Sequence, residues 1–304
     1  MVGPTATGKT DLSLALAAYI PCEILVADSR QVYRGMDVGT AKVGTAARTR
    51  VPHHLLDVVE PDQPFAVAQW VELARSRLPE IDGRGRLPLV VGGTGLYVTA
   101  LVDGFDFASQ PWSPELRQRL AAELEAEGLR ELADRLTRLD SAGAARTDLR
   151  NPRRVLRALE RAELVGDAAA GTVGLDPYPG RIALLGLSRP WTVLDRRIEE
   201  RAAAMFAGGL LEETRALLER GLDPELPALT GHGYAEAARH LAGESSLEEA
   251  IASTARRVRR YARRQMSWFR RDRRIVWLDA GDRPPDDPPL VRRGSDLLLR
   301  LTLG

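Results

Sequence analysis

GPTATGKT, residues Gly3 to Thr10, begins two residues into this chain of 304. Gly3, Gly8, Lys9 and Thr10 have the spacing of a phosphate-binding loop, G-x-x-x-x-G-K-[ST]. Glycines let such a loop turn its amide N–H groups inward, and those amides with the N-terminus of the next helix make an anion site. Lys9 then sets a positive charge against the terminal phosphates, and the Thr10 hydroxyl is the expected holder of Mg²⁺. Asp11 to Ala18 supplies the helix, being rich in Leu and Ala. Only Met1 and Val2 precede the loop, fewer than the roughly five residues of a buried strand. The expectation is a first strand cut down to a stub, or a start upstream of Met1.

The totals bound what else the chain can be. Its length supports a substantial core and predicts two structural units. Hydrophobic residues at 44% and charged residues at 28% are those of an ordinary globular protein. One cysteine, Cys22, excludes an internal disulfide framework and a multi-cysteine zinc site. Its place before Ile24-Leu25-Val26-Ala27 predicts a small buried hydrophobe. No apolar stretch reaches the roughly 18 residues that span a bilayer. The phosphate loop occupies the N-terminus in place of a signal-peptide pattern, so the expected location is the cytoplasm, with no membrane partner.

Apolar runs at 23–27, 87–91, 182–187 and 275–278 read as buried strands with helical patterns between them, which predicts an α/β fold with a parallel sheet flanked by helices. Asp28 follows one run and Gly92-Gly93-Thr94-Gly95 another. Ligands bind beyond the carboxyl ends of such strands, so both stretches fall at the expected site. From Ser113 to Glu163 the chain is Leu/Ala/Arg/Glu-rich with no strand signal, beginning with the N-cap pattern Ser113-Pro114-Glu115. The reading is a core at 1–110 and 180–304, interrupted by a helical insertion at 111–179. Residues 167–180 read as a loop, 192–271 as a second helical stretch and 282–289 as a loose tail.

Asp28, at a strand end beside a phosphate loop, can cap a helix, bind metal or act as a general base. His53 and His54 are adjacent, so they face different ways and do not suit a shared metal. Residues 256–274 hold ten arginines and one acid among nineteen residues, with Tyr261, Trp268 and Phe269 interleaved. A second arginine cluster is Arg146, Arg150, Arg153, Arg154 and Arg157. The net charge is only +1, and two concentrated cationic fields on a near-neutral chain point to a polyanion, with aromatic faces available to bases. A phosphate loop alone fits a kinase or NTPase. Yet the strand at 87–91 runs into glycines with no second metal-binding carboxylate, which fits a bound diphosphate leaving group better.

Taken together, these stretches resemble the tRNA dimethylallyltransferases, or tRNA isopentenyltransferases, of the bacterial type. The matching pieces are GPTATGKT (3–10), ADSRQVYRGMDVGTAK (27–42), PHHLLD (52–57), VGGTGLY (91–97), RVLRALE (154–160), GYAE (233–236) and YARRQMSWFR (261–270). The resemblance implies a P-loop kinase-like core that moves a dimethylallyl group from its diphosphate to the exocyclic amine of the adenosine just 3′ of a tRNA anticodon. It implies Mg²⁺ as cofactor, the anticodon stem-loop as partner and a monomer as the working unit. Gly3, Pro4, Thr5, Ala6, Thr7, Gly8, Lys9 and Thr10 would hold the diphosphate. Asp28 would be the base, with Lys9 and Thr94 in the reacting centre. Asp28, Ser29, Arg30, Gln31, Thr94, Arg117, Arg153, Arg154, Val155, Leu156, Arg157, Arg263 and Arg264 would meet tRNA. Two departures stand out: the family's Ile-Gly-Tyr-Lys-Glu is His232-Gly233-Tyr234-Ala235-Glu236 here, and its Asn-Asp before RVLRALE is Arg150-Asn151. The alternatives are an adenylate isopentenyltransferase or a small-molecule P-loop kinase, neither of which needs an arginine field.

Overall fold

The computed structural model describes residues 1–104, 113–165 and 175–303. The chain forms two compact units, Met1–Val102 with Pro179–Gly304, and Asp103–Tyr178. Its strands are β1 (Cys22–Ala27), β2 (His53–His54), β3 (Leu87–Gly92), β4 (Leu185–Ser188) and β5 (Val276–Asp279). The helices are α1 (Lys9–Leu16), α2 (Thr45–Arg50), α3 (Val67–Asp82), α4 (Gly95–Thr99), α5 (Pro114–Glu127), α6 (Leu129–Leu139) and α7 (Ser141–Arg146). They continue with α8 (Pro152–Val165), α9 (Trp191–Ala207), α10 (Leu210–Glu219), α11 (Tyr234–Leu241), α12 (Leu247–Phe269) and α13 (Pro288–Leu303).

The first unit is an α/β fold on a parallel sheet. β1 is buried at all six positions, the mark of an inner strand covered on both faces. It pairs in parallel with β2 (Ile24 opposite His53) and with β3 (Cys22 opposite Leu87 through Ala27 opposite Gly92). β4 and β5 pair in parallel as well. The two sets are joined by the stub expected from the sequence. Val2 bridges Gly92 on one side and Gly186 on the other, donating its amide to the Leu185 carbonyl (2.8 Å) and accepting from the Leu187 amide (2.9 Å). The order β2-β1-β3-Val2-β4-β5 puts the phosphate loop at the middle of the sheet's carboxyl edge. Leu12 and Leu16 of α1, Ile24, Val26, Leu89, Val91, Leu185, Leu187 and Leu278 form the core beneath it.

The second unit is helical. Ser113 caps α5 by accepting from the Leu116 amide (3.1 Å), with Pro114 at the first helical position. Leu116, Leu120, Leu132, Leu136, Val155 and Leu159 make its own core.

Two expectations are corrected. The tail read at 282–289 carries no helix or strand only as far as Asp287: Pro288 opens α13, where its missing N–H is no loss, and the helix runs on to Leu303. The strand read at 182–187 runs only from Leu185 to Ser188. His53 and His54 form the short edge strand β2, too short for period-two patterning to register. Of the loop read at 167–180, residues 167–174 lie outside the described residues, while 175–180 carry no helix or strand.

Trp70 of α3 anchors the end of β1. It is fully buried, donates Nε1 to the Val26 carbonyl (3.1 Å) and stacks on Tyr97 at 4.7 Å between centroids. Trp70→Ala is therefore expected to lower unfolding free energy by about 3–5 kcal/mol, read from the denaturant midpoint; a smaller loss would show that α3 does not hold β1.

Candidate active site

The phosphate loop is shaped by positions that exclude side chains. Gly3 has φ +141°, and a Cβ there would lie 2.4 Å from the Leu187 carbonyl oxygen. Gly8, with φ +91°, meets Pro285 at 2.6 Å in the same sense. Within the loop the Pro4 carbonyl accepts from Thr7 Oγ1 (2.8 Å) and from Lys9 Nζ (2.6 Å). Two arginines hold it from outside: Arg189 Nε donates to the Thr7 carbonyl and Arg197 Nε to the Ala6 carbonyl, each at 2.8 Å. The Thr5 amide is committed to Gln265 Oε1 (2.8 Å), so Thr5 lines the site without offering that N–H to an anion.

The loop opens on a cavity of about 520 Å³. Thr5, Ala6, Gly8, Lys9 and Thr10 line one side, and Asp28, Gln31, Gly92, Gly93, Tyr261 and Gln265 another. Lys42, Arg197 and Arg201 bring further cations. Lys42 is neutralised in place by Asp37 (2.8 Å) and Asp57 (2.6 Å). Lys9 and Arg201 form no ion pair among the described residues. Burial pushes Lys9 down to about 7, with Asp28 resisting and Arg201 adding to the fall. Burial depresses Arg201 also, against the pull of Asp28 and Asp11. A dianion entering here would favour the charged form of Lys9 and give the Arg201 guanidinium a counter-charge.

Opposite the loop, the ends of β1 and β3 supply an acceptor side. Asp28 Oδ1 accepts from the Arg30 amide (2.9 Å), a turn that orients the carboxylate. The Thr94 amide donates to the Ala27 carbonyl (3.1 Å), and Thr94 Oγ1 accepts from the Ser29 amide (3.0 Å). The Tyr261 hydroxyl interacts with Thr94 and Gln265, and burial, reinforced by Asp28, pushes it up to about 12. Behind them Glu213 of α10 accepts from the amides of Asp37, Val38 and Gly39 at 2.9, 2.9 and 3.2 Å and from the Tyr234 hydroxyl. These bonds fix the Asp37–Lys42 loop and give the GYAE stretch its purpose.

Asp28, Ser29, Gln31 and Thr94 thus gather with the phosphate loop. Arg30, named with them, is turned away to the Pro227 and Ala228 carbonyls. On α12, Arg263 lies 4.8 Å over Trp191 and Arg264 5.8 Å over Tyr261. The acids missing from the arginine segment come partly from other helices: Glu236 pairs with Arg257 (2.8 Å), and Asp195 (3.1 Å) and Glu199 pair with Arg259. Arg256, Arg260, Arg263, Arg264, Arg270, Arg271 and Arg273 pair with no carboxylate among the described residues. In the helical unit, Arg117 (2.7 Å) and Arg157 (2.6 Å) share the buried Glu160. Arg153 and Arg154 are exposed, and Asp148 lies 3.6 Å from Arg154. Val155 is fully buried in that unit's core, so its side chain reaches no partner; Leu156 packs against the same core. Sequence reasoning missed Arg189, Arg197, Arg201, Glu213 and Gln265. For Arg197 and Arg201 the four-residue spacing on one helix was a usable signal. The others are fixed by contacts distant in sequence.

Fold and site define a P-loop protein whose loop faces a strand-end carboxylate across one cavity. The family follows from comparison: the IPP transferase family model matches residues 31–272, and the chain belongs to that family. The tRNA dimethylallyltransferase of Roseiflexus castenholzii is 43% identical over 98% of this chain and 96% of its own. That of Anaeromyxobacter dehalogenans is 47% identical over 96% and 97%. The crystal structure of the tRNA isopentenylpyrophosphate transferase from Bacillus halodurans is 37% identical, superposes with a TM-score of 0.74 and covers 99% of this chain and 95% of that one.

The lowered Lys9 gives a sign-determined test. An anion raises its pKa again, so binding takes up a proton. The gain in affinity is complete below about pH 7 and disappears as pH rises through the bound-state pKa. Calorimetry of inorganic diphosphate in buffers of different ionisation enthalpy should show more proton uptake by the parent than by Lys9→Met. Equal uptake would remove Lys9 from the anion site.

Proposed function

We propose that this chain transfers a dimethylallyl group from dimethylallyl diphosphate to the exocyclic amine of the adenosine 3′-adjacent to the anticodon in tRNAs reading U-initial codons. The observation that carries this reading is the single cavity shared by the phosphate loop and Asp28. Lys9, Arg197, Arg201 and the loop amides bind the diphosphate, and these preorganised donors stabilise the charge that develops on it as it leaves. The amine nitrogen bonds to the donor's C1, the C1–O bond breaks with its electron pair going to diphosphate, and the amine's proton passes to the Asp28 carboxylate. A base is needed because the adenine amine is a poor nucleophile, its lone pair delocalised into the ring.

Mg²⁺ fits the donor set. The Thr10 hydroxyl lines the cavity, and Mg²⁺ takes hard oxygen ligands, often one or two from protein with the rest from substrate phosphates and water. When bound it neutralises charge on the diphosphate. The adenine must leave its stack to reach a recessed centre, a loss of a few kcal/mol that is smaller in a loop. The unpaired arginines of α12 and the exposed Arg153 and Arg154 suit the phosphates of the stem-loop.

The deciding experiment incubates the protein with tRNA, Mg²⁺ and labelled dimethylallyl diphosphate, with AMP as competing acceptor. Label should appear in tRNA; label in AMP alone would select a free-nucleotide enzyme. In the same assay Asp28→Ala should lower transfer by about 10²- to 10⁴-fold while stem-loop affinity is unchanged; full turnover would take the base role from Asp28. Stem-loop affinity should fall about tenfold or more across a roughly fourfold rise in salt, and a flat response would count against the arginine grip.

A further inference from the structure

Gln265 sits on the inner face of α12 and touches both halves of the candidate active site. Its Oε1 accepts from the Thr5 amide of the phosphate loop, and its Nε2 donates to the Gly93 carbonyl, each at 2.8 Å. Gly93 belongs to the turn that carries Thr94. The side chain is 6% exposed and also meets the Tyr261 hydroxyl. It fits only because Gly93 lacks a side chain, since a Cβ there would lie 2.2 Å from Gln265 Nε2. One helical step on, Trp268 does the same over Gly95, where a Cβ would lie 2.4 Å from its ring, and its Nε1 donates to Thr99 Oγ1 (3.2 Å). Residues three apart on the helix therefore seat over glycines two apart on the turn, and Thr94 is held between them.

We propose that Gln265 is a positioning residue for the transfer step: a neutral amide strut that fixes the phosphate loop relative to the Thr94 turn. The inference rests on the prenyl-transfer reading and deepens it. Two linked groups must meet in line, and small offsets at such a centre are expensive in rate. A primary amide offers an acceptor to Thr5 and a donor to Gly93 from one planar group. A carboxylate would face the Gly93 carbonyl with no proton and set negative charge beside the bound anion. Both amide bonds are enclosed, so the strut is stiff. Gln265 uses its polar atoms on the protein, so its effect falls on turnover rather than on the binding of either substrate.

Gln265→Met keeps the volume and removes both bonds. In the full chain it should lower kcat about 10- to 100-fold, with KM for dimethylallyl diphosphate and KM for the stem-loop unchanged and only a modest fall in Tm, since two enclosed backbone groups lose a partner. A kcat equal to the parent's overturns the proposal, and so does a loss of kcat that travels with a large fall in Tm and in both affinities, since that is a folding defect. Should Gln265→Met fail to fold, Gln265→Glu answers instead: it keeps the Thr5 acceptor and loses the Gly93 donor. Its kcat at saturating donor should fall in the same range, and a parental kcat overturns the proposal. An inactive parent chain would reject the prenyl-transfer reading itself, an outcome distinct from an active parent with an equally active variant.

Discussion

Cations taken out of water without enough anions to match them are the constraint on which this site depends. Lys9, Arg189 and Arg201 are each driven toward their neutral forms by burial. Desolvated charge of this kind is unfavourable in the empty protein. It is tolerated because α1, β1 and β4 are packed into a continuous core that overrides the local penalty. An anion entering the cavity would relieve the same penalty. The architecture supplies the geometry: amides at a helix N-terminus, on the middle of a sheet's carboxyl edge.

The opposite wall of the cavity is held at a fixed distance from the phosphate loop. α12 does this with one face and presents arginines on the others. Val258, Ala262, Gln265, Met266 and Phe269 are buried at helical spacing, while Arg256, Arg260, Arg263 and Arg264 lie on its other faces. α12 thus combines an arginine-rich outer surface with a buried face seated on the Gly93-Thr94-Gly95 turn. Glu213 adds stiffness from behind by gathering three successive amides and the Tyr234 hydroxyl. Such a carboxylate replaces the water those amides would otherwise need.

Much of this was legible in the residues. The G-x-x-x-x-G-K-T spacing has one physical use, and Asp28 after an apolar run has few, so the two halves of the site could be named before their meeting was visible. The arginine segment was legible as a field but not as a distribution. Arg257 and Arg259 are absorbed by Glu236, Asp195 and Glu199, which lie on other helices. Val155 sits in a motif that reads as a contact stretch, yet its position on α8 turns it into the core. Only the last two residues of the Pro/Asp-rich 282–289 stretch misled, because proline breaks helices in their interior and begins them at their first turn.

The sequence by itself determined the parallel α/β core and the family, because these depend on local spacing and periodicity. Tertiary structure alone decided which cations stay unpaired around Lys9, that Val2 bridges β3 and β4, and that one glutamine spans from Thr5 to Gly93. Each of these rests on contacts between residues far apart in the chain. Val2 meets Gly186, and Gln265 meets a loop 260 residues before it. Short-range pattern carries no information about such pairs, since only the folded sheet brings their backbones within hydrogen-bonding distance.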